Sequence, residues 1–186
     1  NNVILLDPHS PNNLAHLKKA GIKTTCLSAL NIFVQRFQPK LKNKKDWLVL
    51  CLDKGAQKRS RAFAQKLKLP MARLKKSRDL SSGKVTFKDF TRDLRNKNII
   101  SFDDFVSTGQ SRVKAAKLVK KIGAKTYIDC ITHGLLGPGA SDNLQKSSIN
   151  QIFLTDSYPI PPKKRFPKLK ILTCAHLLAR AIQKLA

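Results

Sequence analysis

Glutamate is absent from this chain of 186 residues, and all 11 acidic residues are aspartate. Lysine and arginine number 37, which gives a formal net charge of +26 at pH 7. About a dozen glutamates would be ordinary in a globular chain of this length, so chance is a poor explanation for their absence. We therefore attribute much of the positive charge to missing glutamate rather than to a basic patch built for one partner.

Other features are missing as well. We find no secretory signal and no apolar run of membrane-spanning length, so no membrane partner is expected. The four cysteines are too widely spaced for a metal knuckle or a disulfide framework, and their apolar surroundings predict reduced core residues. They are Cys26, Cys51, Cys130 and Cys174. These absences favour a cytoplasmic protein, with an organelle matrix as the alternative.

The basic residues are scattered along the chain rather than gathered into one cluster. A surface of this charge binds polyanions such as RNA nonspecifically and with a strong dependence on salt. Aromatic residues make up only 6% of the sequence, which leaves few platforms for stacking the bases of a single strand. Two interpretations stay open: a solvated basic surface, and a role in a ribonucleoprotein or at a membrane surface.

Short apolar segments alternate with amphipathic ones along the whole chain. They predict strands at 3–6, 47–52, 71–74, 99–102, 126–131, 151–154 and 169–172, and helices around 14–20, 27–37, 58–67, 111–122 and 174–185. This alternation is typical of an α/β protein whose parallel sheet carries helices on both faces. Ligands of such sheets bind at the carboxyl ends of the strands, where Asp7, Asp53, Asp103 and Thr132 are expected.

Residues 99–111, with the sequence I-I-S-F-D-D-F-V-S-T-G-Q-S, are the most informative about function. A strand is predicted to stop at Asp103 and Asp104, and the small residues that follow lead into a helix. Loop amides and the start of that helix would face one point, where a phosphate would be bound. The two carboxylates would lie beside it, within reach of sugar hydroxyls or a hydrated metal ion. An ordinary loop whose Asp and Ser residues cap the helix is the alternative.

This segment resembles the phosphoribosyltransferase signature, in which an apolar strand and two acidic residues are followed by three variable positions and then by Ser/Thr-Gly-x-Ser/Thr. Within that superfamily the chain is most similar to the ribose-phosphate diphosphokinases, because further blocks occur in the family's order. These blocks are Asp7-Pro8-His9, Leu52-Asp53-Lys54-Gly55-Ala56, Lys76-Ser77-Arg78, Arg92-Asp93-Leu94, Thr132-His133-Gly134, Thr155-Asp156-Ser157-Tyr158-Pro159 and Ala175-His176-Leu177-Leu178-Ala179. The resemblance implies a phosphoribosyltransferase-like fold.

The resemblance also implies a reaction, the transfer of diphosphate from ATP to the 1-hydroxyl of ribose 5-phosphate. Lys76 and Arg78 would be catalytic, and Arg78 would also bind the sugar phosphate. His9 and Asp53 would bind a Mg²⁺ ion that bridges the phosphates. Ribose 5-phosphate would be held by Asp103, Asp104, Ser107, Thr108, Gly109, Gln110 and Ser111, and the diphosphate loop would be Asp53, Lys54, Gly55 and Ala56. Residues 77–97 would form a loop over the reacting phosphates.

Three residues depart from the family's pattern. Ala56 stands where the family prefers glycine, Ser107 where aspartate is common, and Gln110 where glycine is found. An added side chain can obstruct the close approach of backbone to phosphate, or, in glutamine, add an amide donor to it. We expect these departures to affect turnover more than the fold.

The resemblance covers only the C-terminal part of such an enzyme. Residues 1–38 would be the end of an N-terminal phosphoribosyltransferase-like half, and residues 39–186 the C-terminal domain, with its last helix packing on that half. A homo-oligomer is implied by the family. The alternative is a non-catalytic domain of this fold that serves as a basic scaffold in a ribonucleoprotein or another assembly.

Overall fold

The computed structural model of the chain describes the backbone of residues 2–78 and 85–185, and their side chains except those of residues 11, 75–78 and 85–89. The strands are β1 (Asn2–Leu6), β2 (Lys23–Leu27), β3 (Trp47–Cys51), β4 (Met71–Arg78), β5 (Val85–Phe90), β6 (Asn98–Val106), β7 (Thr126–Gly134), β8 (Gln151–Thr155) and β9 (Leu169–Leu172). The helices are α1 (Pro11–Lys19), α2 (Leu30–Phe37), α3 (Gln57–Leu67), α4 (Gln110–Lys121), α5 (Ala140–Lys146) and α6 (Ala175–Gln183). Among the described residues, no helix is both long and apolar enough to cross a bilayer.

The main sheet contains seven strands in the order β5-β4-β3-β6-β7-β8-β9. All neighbouring pairs in it run parallel except β4 and β5, which form an antiparallel hairpin. Strands β1 and β2 pair in parallel as a separate two-stranded sheet. The expected α/β class, with a mainly parallel sheet, is therefore confirmed. The tip of the hairpin, residues 79–84, lies outside the described residues.

Each face of the main sheet has its own apolar core, because successive residues of a strand point to opposite faces. Val49 and Phe102 pack on one face with α2 and α3. Leu48 and Leu50, the neighbours of Val49 in β3, pack on the other face with α4 and α5. Strands that are buried on both faces are apolar throughout, which explains why the continuous runs in the sequence predicted them well.

Three elements were missed from the sequence, and one of them, β5, lies inside the segment 77–97 that was expected to be a loop. Strand β2 begins with Lys23, Thr24 and Thr25, so it shows no apolar run that would predict a strand, and among the described strands it pairs with β1 alone. As a result α2 begins at Leu30 rather than near residue 27. Helix α5 has only seven residues, too few for a clear apolar period. Cys26 in β2 is exposed, so the prediction that all four cysteines lie in the core is wrong for this one.

Strand β6 is longer than predicted. It continues through Asp103 and Asp104 to Val106, because its parallel pairing with β7 extends as far as Val106 opposite Gly134. The two carboxylates therefore lie within the last residues of a paired strand. Their backbone is held by the sheet, so the side chains are placed more rigidly than they would be in a loop.

The order of strands reverses between β3 and β6. From β3 the chain passes through α3 to β4 on one side, whereas from β6 it passes through α4 to β7 on the other side. Because α3 and α4 cover opposite faces, a crevice is left at the carboxyl ends of β3 and β6. Asp53 follows β3, and Asp103 is near the end of β6. The topology therefore predicts a ligand site between them.

A first prediction concerns Gly134, the last residue of β7. A Cβ atom at this position would overlap Cδ1 of Leu154, a fully buried side chain, and would lie 3.3 Å from Cδ1 of Ile160. We expect Gly134→Ala to lower the free energy of unfolding by about 1–3 kcal/mol through overpacking, measured by urea denaturation. Gly137→Ala is the matched control, since its Cβ would meet nothing closer than 3.8 Å. Equal costs for the two variants would contradict the explanation.

Candidate functional site

A cavity of about 330 Å³ opens in the crevice between β3 and β6. His9, the Asp53 loop, Arg59 and residues 103–112 line it. The structure thus brings together side chains that the sequence had indicated separately, from three distant parts of the chain. A second cavity, of about 690 Å³, is lined by residues between 156 and 171, and none of residues 103–111 lines it.

The loop between β6 and α4 is shaped to bind an anion. The backbone amides of Ser107, Thr108, Gly109, Gln110 and Ser111 have no acceptor within the described part of the chain. All five residues line the cavity, and the positive end of the α4 dipole adds to their attraction for negative charge. Gly109 turns the chain with a φ of 73°, and a Cβ there would lie 3.0 Å from the Leu144 side chain. Glycine is therefore the residue that this turn accepts.

Two carboxylates lie directly before the loop, and Arg59 bridges them. Its Nη1 donates to Oδ1 of Asp103 at 2.7 Å and its Nη2 to Oδ2 of Asp104 at 2.8 Å. His9 Nδ1 lies 2.7 Å from the same Asp104 oxygen. Arg112, from the first turn of α4, donates to Oδ2 of Asp103 at 2.9 Å. Adjacent carboxylates are thus compensated by two guanidinium groups, one on each side of the sheet.

The carboxylates keep some capacity to bind a ligand. A carboxylate oxygen accepts two hydrogen bonds. Oδ1 of Asp103 accepts from Arg59 and from the Asp104 amide, whereas Oδ2 accepts only from Arg112. In Asp104, Oδ2 is shared by Arg59 and His9, and Oδ1 accepts only from the Phe105 amide. Among the described donors, each carboxylate therefore leaves one lone pair free, enough for one hydroxyl each.

The two neighbouring carboxyl groups differ in their pKa. Burial raises the pKa of Asp103, and the charge of Asp104 adds to this, although Arg112 and Arg59 act in the opposite direction. For Asp104 burial also acts to raise the pKa, but the hydrogen bond with His9 and the charge of Arg59 outweigh it and hold the pKa below its ordinary value. Asp104 is therefore the more firmly ionised of the pair.

His9 and Asp53 line the same cavity, as the metal hypothesis requires. Oδ1 of Asp53 accepts from the Ala56 amide at 2.8 Å, while its Oδ2 and Nε2 of His9 have no protein partner in the described part of the chain. No cluster of three His, Cys or Asp side chains able to hold a metal occurs among the described residues. A pair of ligands completed by water suits Mg²⁺, which retains several waters when it binds.

Thr132 and His133 have structural partners. Thr132 is fully buried and donates to Oδ2 of Asp7 at 2.6 Å. His133 lies between the Leu6 carbonyl, 3.0 Å from Nε2, and the Ser157 hydroxyl, 2.9 Å from Nδ1. These contacts hold the end of β1 against β7 and so position the following residues, including His9. His133 itself does not line the cavity.

Sequence reasoning missed Arg59 and Arg112. Arg112 is only 5% exposed. It lies on the buried face of α4, together with Ala115, Ala116 and Val119. That spacing, with an aspartate in the middle of the apolar run of β7, was the available signal for a buried ion pair. Arg59 gave no such signal, because α3 carries basic residues on several sides. The backbones of Lys76 and Arg78 lie in β4, but their side chains are outside the described residues, so their roles stay a prediction.

Residues 89–186, more than half of the chain, match the family model of the phosphoribosyl synthetase-associated domain. The chain belongs to this family. The resemblance noted in the sequence and the fold class that it implied are thereby confirmed.

Several relatives of this phosphoribosyl synthetase-associated domain match most of the chain. A ribose-phosphate pyrophosphokinase of Clostridium acetobutylicum is 31% identical over 183 residues, covering 98% of this chain and 56% of the relative. Another, from Thermosipho africanus, is 36% identical over 150 residues, covering 78% and 46%. The crystal structure of phosphoribosylpyrophosphate synthetase from Mycobacterium smegmatis matches with a TM-score of 0.87 at 25% identity, covering 99% of this chain and 58% of that one. The chain thus spans about half the length of the curated relatives it matches.

The three departures from the family's pattern leave the backbone of the phosphoribosyl synthetase-associated domain intact around the cavity. Ala56 is buried, and its amide donates to Asp53, so it closes the turn before α3. Ser107 and Gln110 are exposed in the loop. The loop thus keeps its turn at Gly109.

A second prediction concerns Arg59. Replacement by methionine leaves two adjacent carboxylates with less compensation, and we expect a loss of about 2 kcal/mol of unfolding free energy at pH 7. The ionised form of Asp104, with its lowered pKa, stabilises the fold above about pH 4, and this contribution is lost as the pH falls through its folded pKa. The deficit of Arg59→Met should therefore be smaller at about pH 3 than at pH 7, measured by urea denaturation at both.

The control for this prediction is Arg61→Met, an exposed position two residues further along α3. It should change stability little at either pH, since it removes the same charge without uncovering a carboxylate. A deficit of Arg59→Met that grows on acidification would show that Arg59 does not stabilise the ionised pair.

Proposed function

We propose that this protein is a ribose-phosphate diphosphokinase, which transfers diphosphate from ATP to ribose 5-phosphate. The observation that carries the proposal is the adjacency of two features in one cavity. Five amides have no acceptor among the described residues, and two carboxylates each have one lone pair that no described donor uses. A phosphate fits the first feature and sugar hydroxyls the second. Membership of the family, and the enzymes named among its relatives, support this assignment.

The sugar phosphate would lie across the crevice. We assign its phosphate to the amides of residues 107–111 at the start of α4, where dipole and donors act together. Its hydroxyls would donate to Asp103 and Asp104. Arg59 holds both carboxylates in place, so little side-chain freedom would be lost when the sugar binds. This arrangement presents the 1-hydroxyl at a fixed distance from the phosphate loop.

Catalysis would consist mainly of positioning and charge neutralisation, because the migrating group spreads negative charge over its oxygens. Lys76 and Arg78, at the end of β4, would supply the positive charge, and Arg78 would also contact the sugar phosphate. Arg59 and Arg112 are engaged with carboxylates, so they leave this task to other cations. The loop of Asp53, Lys54, Gly55 and Ala56, which borders the same crevice, would bind the diphosphate.

His9 and Asp53 would hold Mg²⁺, together with water. When bound, the ion would neutralise charge on the phosphates. The residues fit this role because each has a free ligand atom at the cavity. His9 is oriented by its contact with Asp104 and by an edge-to-face contact with Phe105, with ring centroids 4.8 Å apart. The free Nε2 is thus directed by groups at the end of β6.

We infer that the protein acts in the cytoplasm, with an organelle matrix as the alternative. All four cysteines are unpaired, as expected where thiols are kept reduced. A homo-oligomer would be consistent with the apolar residues that α6 leaves exposed, since Ile182 is 58% exposed.

A second candidate is a basic scaffold in a ribonucleoprotein. The observation that favours it is that the described lysines carry charges which no carboxylate neutralises. Within the described part of the chain, the cations of the salt bridges are His9, Arg59, Arg95 and Arg112. No described lysine therefore forms a salt bridge with a carboxylate. Such a surface would bind RNA or other polyanions nonspecifically, with affinity that falls steeply with salt. The enzyme requires an intact cavity, whereas the scaffold requires only the basic surface. Changes in the cavity therefore distinguish the two candidates.

The third prediction tests the enzyme against the scaffold in the full-length gene product. Lys76→Ala should lower the rate of ATP-dependent diphosphoryl transfer by about 100-fold or more, because the lysine charge is needed mainly in the transition state. The affinity for ribose 5-phosphate should stay within about twofold. Turnover would be measured with Mg²⁺ present, and affinity by calorimetry.

Lys117→Ala, at an exposed position of α4, is the control for the loss of one positive charge and should leave turnover unchanged. Unchanged activity in Lys76→Ala would contradict its catalytic role. Absence of diphosphoryl transfer by the full-length product, together with salt-dependent binding of RNA, would favour the scaffold.

We also propose that residues 1–38 are the end of an N-terminal phosphoribosyltransferase-like half, and that residues 39–186 form a C-terminal domain whose last helix, α6, packs on that half. Strands β1 and β2 form a sheet apart from the main one. In α6 only Ala181 is buried, Ile182 is exposed, and Leu185 just after the helix is exposed as well. An exposed apolar helix face of this kind is typical of a surface that packs against another part of the protein or a partner. The matched relatives are about twice as long and so contain further chain that could supply it.

The fourth prediction follows from this division. In the chain of 186 residues, Ile182→Ser should change the free energy of unfolding by less than about 0.5 kcal/mol and reduce self-association, since the side chain is exposed. In the full-length product the same change should cost about 1–3 kcal/mol, because the side chain would be buried there. Urea denaturation and light scattering would measure the two effects. Equal costs in both forms would contradict the proposed packing.

A further inference from the structure

A buried polar cluster adjoins the cavity, and all of its members except Ser101 lie outside the sequence blocks that indicated the site. Its members are Ser101 of β6, Arg112 of α4, and Tyr127 and Asp129 of β7. All four are 5% exposed or less, and Asp129 is completely buried. Charged groups are rarely buried to this degree without a specific role, because their removal from water is costly.

Arg112 is the centre of the cluster and spans three elements of the fold. Its Nη1 donates to both carboxylate oxygens of Asp129, each at 2.9 Å. Its Nη2 donates to Oδ2 of Asp103 at 2.9 Å and to the carbonyl of Phe105 at 3.1 Å. One guanidinium group thus connects β7, the last residues of β6 and the first turn of α4.

Asp129 is in turn held in one orientation. Its Oδ1 accepts from the Ser101 hydroxyl at 2.6 Å, and the hydroxyls of Ser101 and Tyr127 are hydrogen-bonded at 3.0 Å. Burial, with the charge of Asp129, raises the pKa of Tyr127 well above its ordinary range, so the phenol stays neutral and able to donate. The carboxylate has no free rotation, and neither does the guanidinium that it pairs with.

A buried ion pair is weak evidence for stability, since apolar residues of the same size often stabilise a fold as well or better. In this protein the pair matters more for the orientation of Asp103 than for stability. Arg112 follows directly on the loop residue Ser111, and it determines which lone pair of Asp103 stays open to the cavity. The phosphate loop and the sugar-binding carboxylate are therefore linked through a single side chain.

We propose that the pair of Arg112 and Asp129 positions Asp103 relative to the loop of residues 107–111, and so sets the spacing at which the site accepts a phosphorylated sugar. Arg112 is a positioning residue in this assignment. It acts through Asp103 and does not touch the substrate. The inference rests on the proposed binding of ribose 5-phosphate at this cavity, and it adds two residues that none of the indicative sequence blocks contains.

The fifth prediction tests this role with the double variant Arg112→Met/Asp129→Asn. The variant keeps the side-chain volumes and removes both buried charges together, while the amide oxygen introduced by Asp129→Asn can still accept from Ser101. We expect the free energy of unfolding to fall by about as much as in Arg59→Met, because Asp103 loses one of its two guanidinium partners. The affinity for ribose 5-phosphate should fall about tenfold, because Asp103 is no longer held, whereas that for inorganic phosphate should change less than about twofold.

Calorimetric titrations with ribose 5-phosphate and with inorganic phosphate, on the same preparations, provide the two readouts. A merely structural role would move both affinities together or neither. Lys120→Met is the matched control, since it replaces another cation of α4 by methionine at an exposed position. Asp129→Asn alone, which leaves Arg112 with one charged acceptor fewer, serves as the second variant and should show a smaller loss of the same selectivity.

Three outcomes would overturn the inference. Unchanged affinity for both ligands would make the pair purely structural, and an equal loss for both would mean that the phosphate loop itself had been damaged. A parent chain that binds phosphate but shows no preference for ribose 5-phosphate would contradict the proposed function, and the inference with it. Selective loss in the double variant, with normal binding by the parent, supports both.

Discussion

The site depends on the compensation of two adjacent carboxylates near the end of a central strand. Asp103 and Asp104 would repel each other and resist burial, yet Arg59 from one face of the sheet and Arg112 from the other bind them at 2.7–2.9 Å. The same contacts direct His9 and the start of α4. Because each arginine is itself engaged with carboxylates, the described donors that remain unpaired at the cavity are the loop amides rather than these two side chains.

The sheet provides the conditions for this compensation. Parallel pairing of β3 with β6, and the reversal of strand order there, place α3 and α4 on opposite faces with their first turns at the same crevice. Arg59 and Arg112 lie in those first turns and approach the carboxylates from both sides. The pairing of β6 with β7 beyond Asp104 keeps the carboxylates on a rigid backbone, and Asp129 reaches Arg112 from that same β7.

Local signals predicted much of this architecture. Strands β3, β6, β7 and β8 are buried on both faces, so their continuous apolar runs were recognisable, and Gly109 followed by small polar residues indicated the turn into α4. Strand β2 and helix α5 gave no comparable signal, since each is short and has a mixed composition. Cys26 was misplaced for the same reason, because its apolar neighbours belong to a small sheet with one exposed side.

The sequence by itself determined the fold class, the turn at Gly109 into α4 and the set of residues at one edge of the sheet, since each depends on neighbours along the chain. The tertiary structure alone decided which charges meet. Arg59 and Asp104 are separated by 45 positions, and Arg112 and Asp129 by 17, so no local pattern pairs them. Burial acts to raise the pKa of both neighbouring aspartates, and hydrogen bonds and charges outweigh it only at Asp104, because the fold packs different groups around each carboxyl.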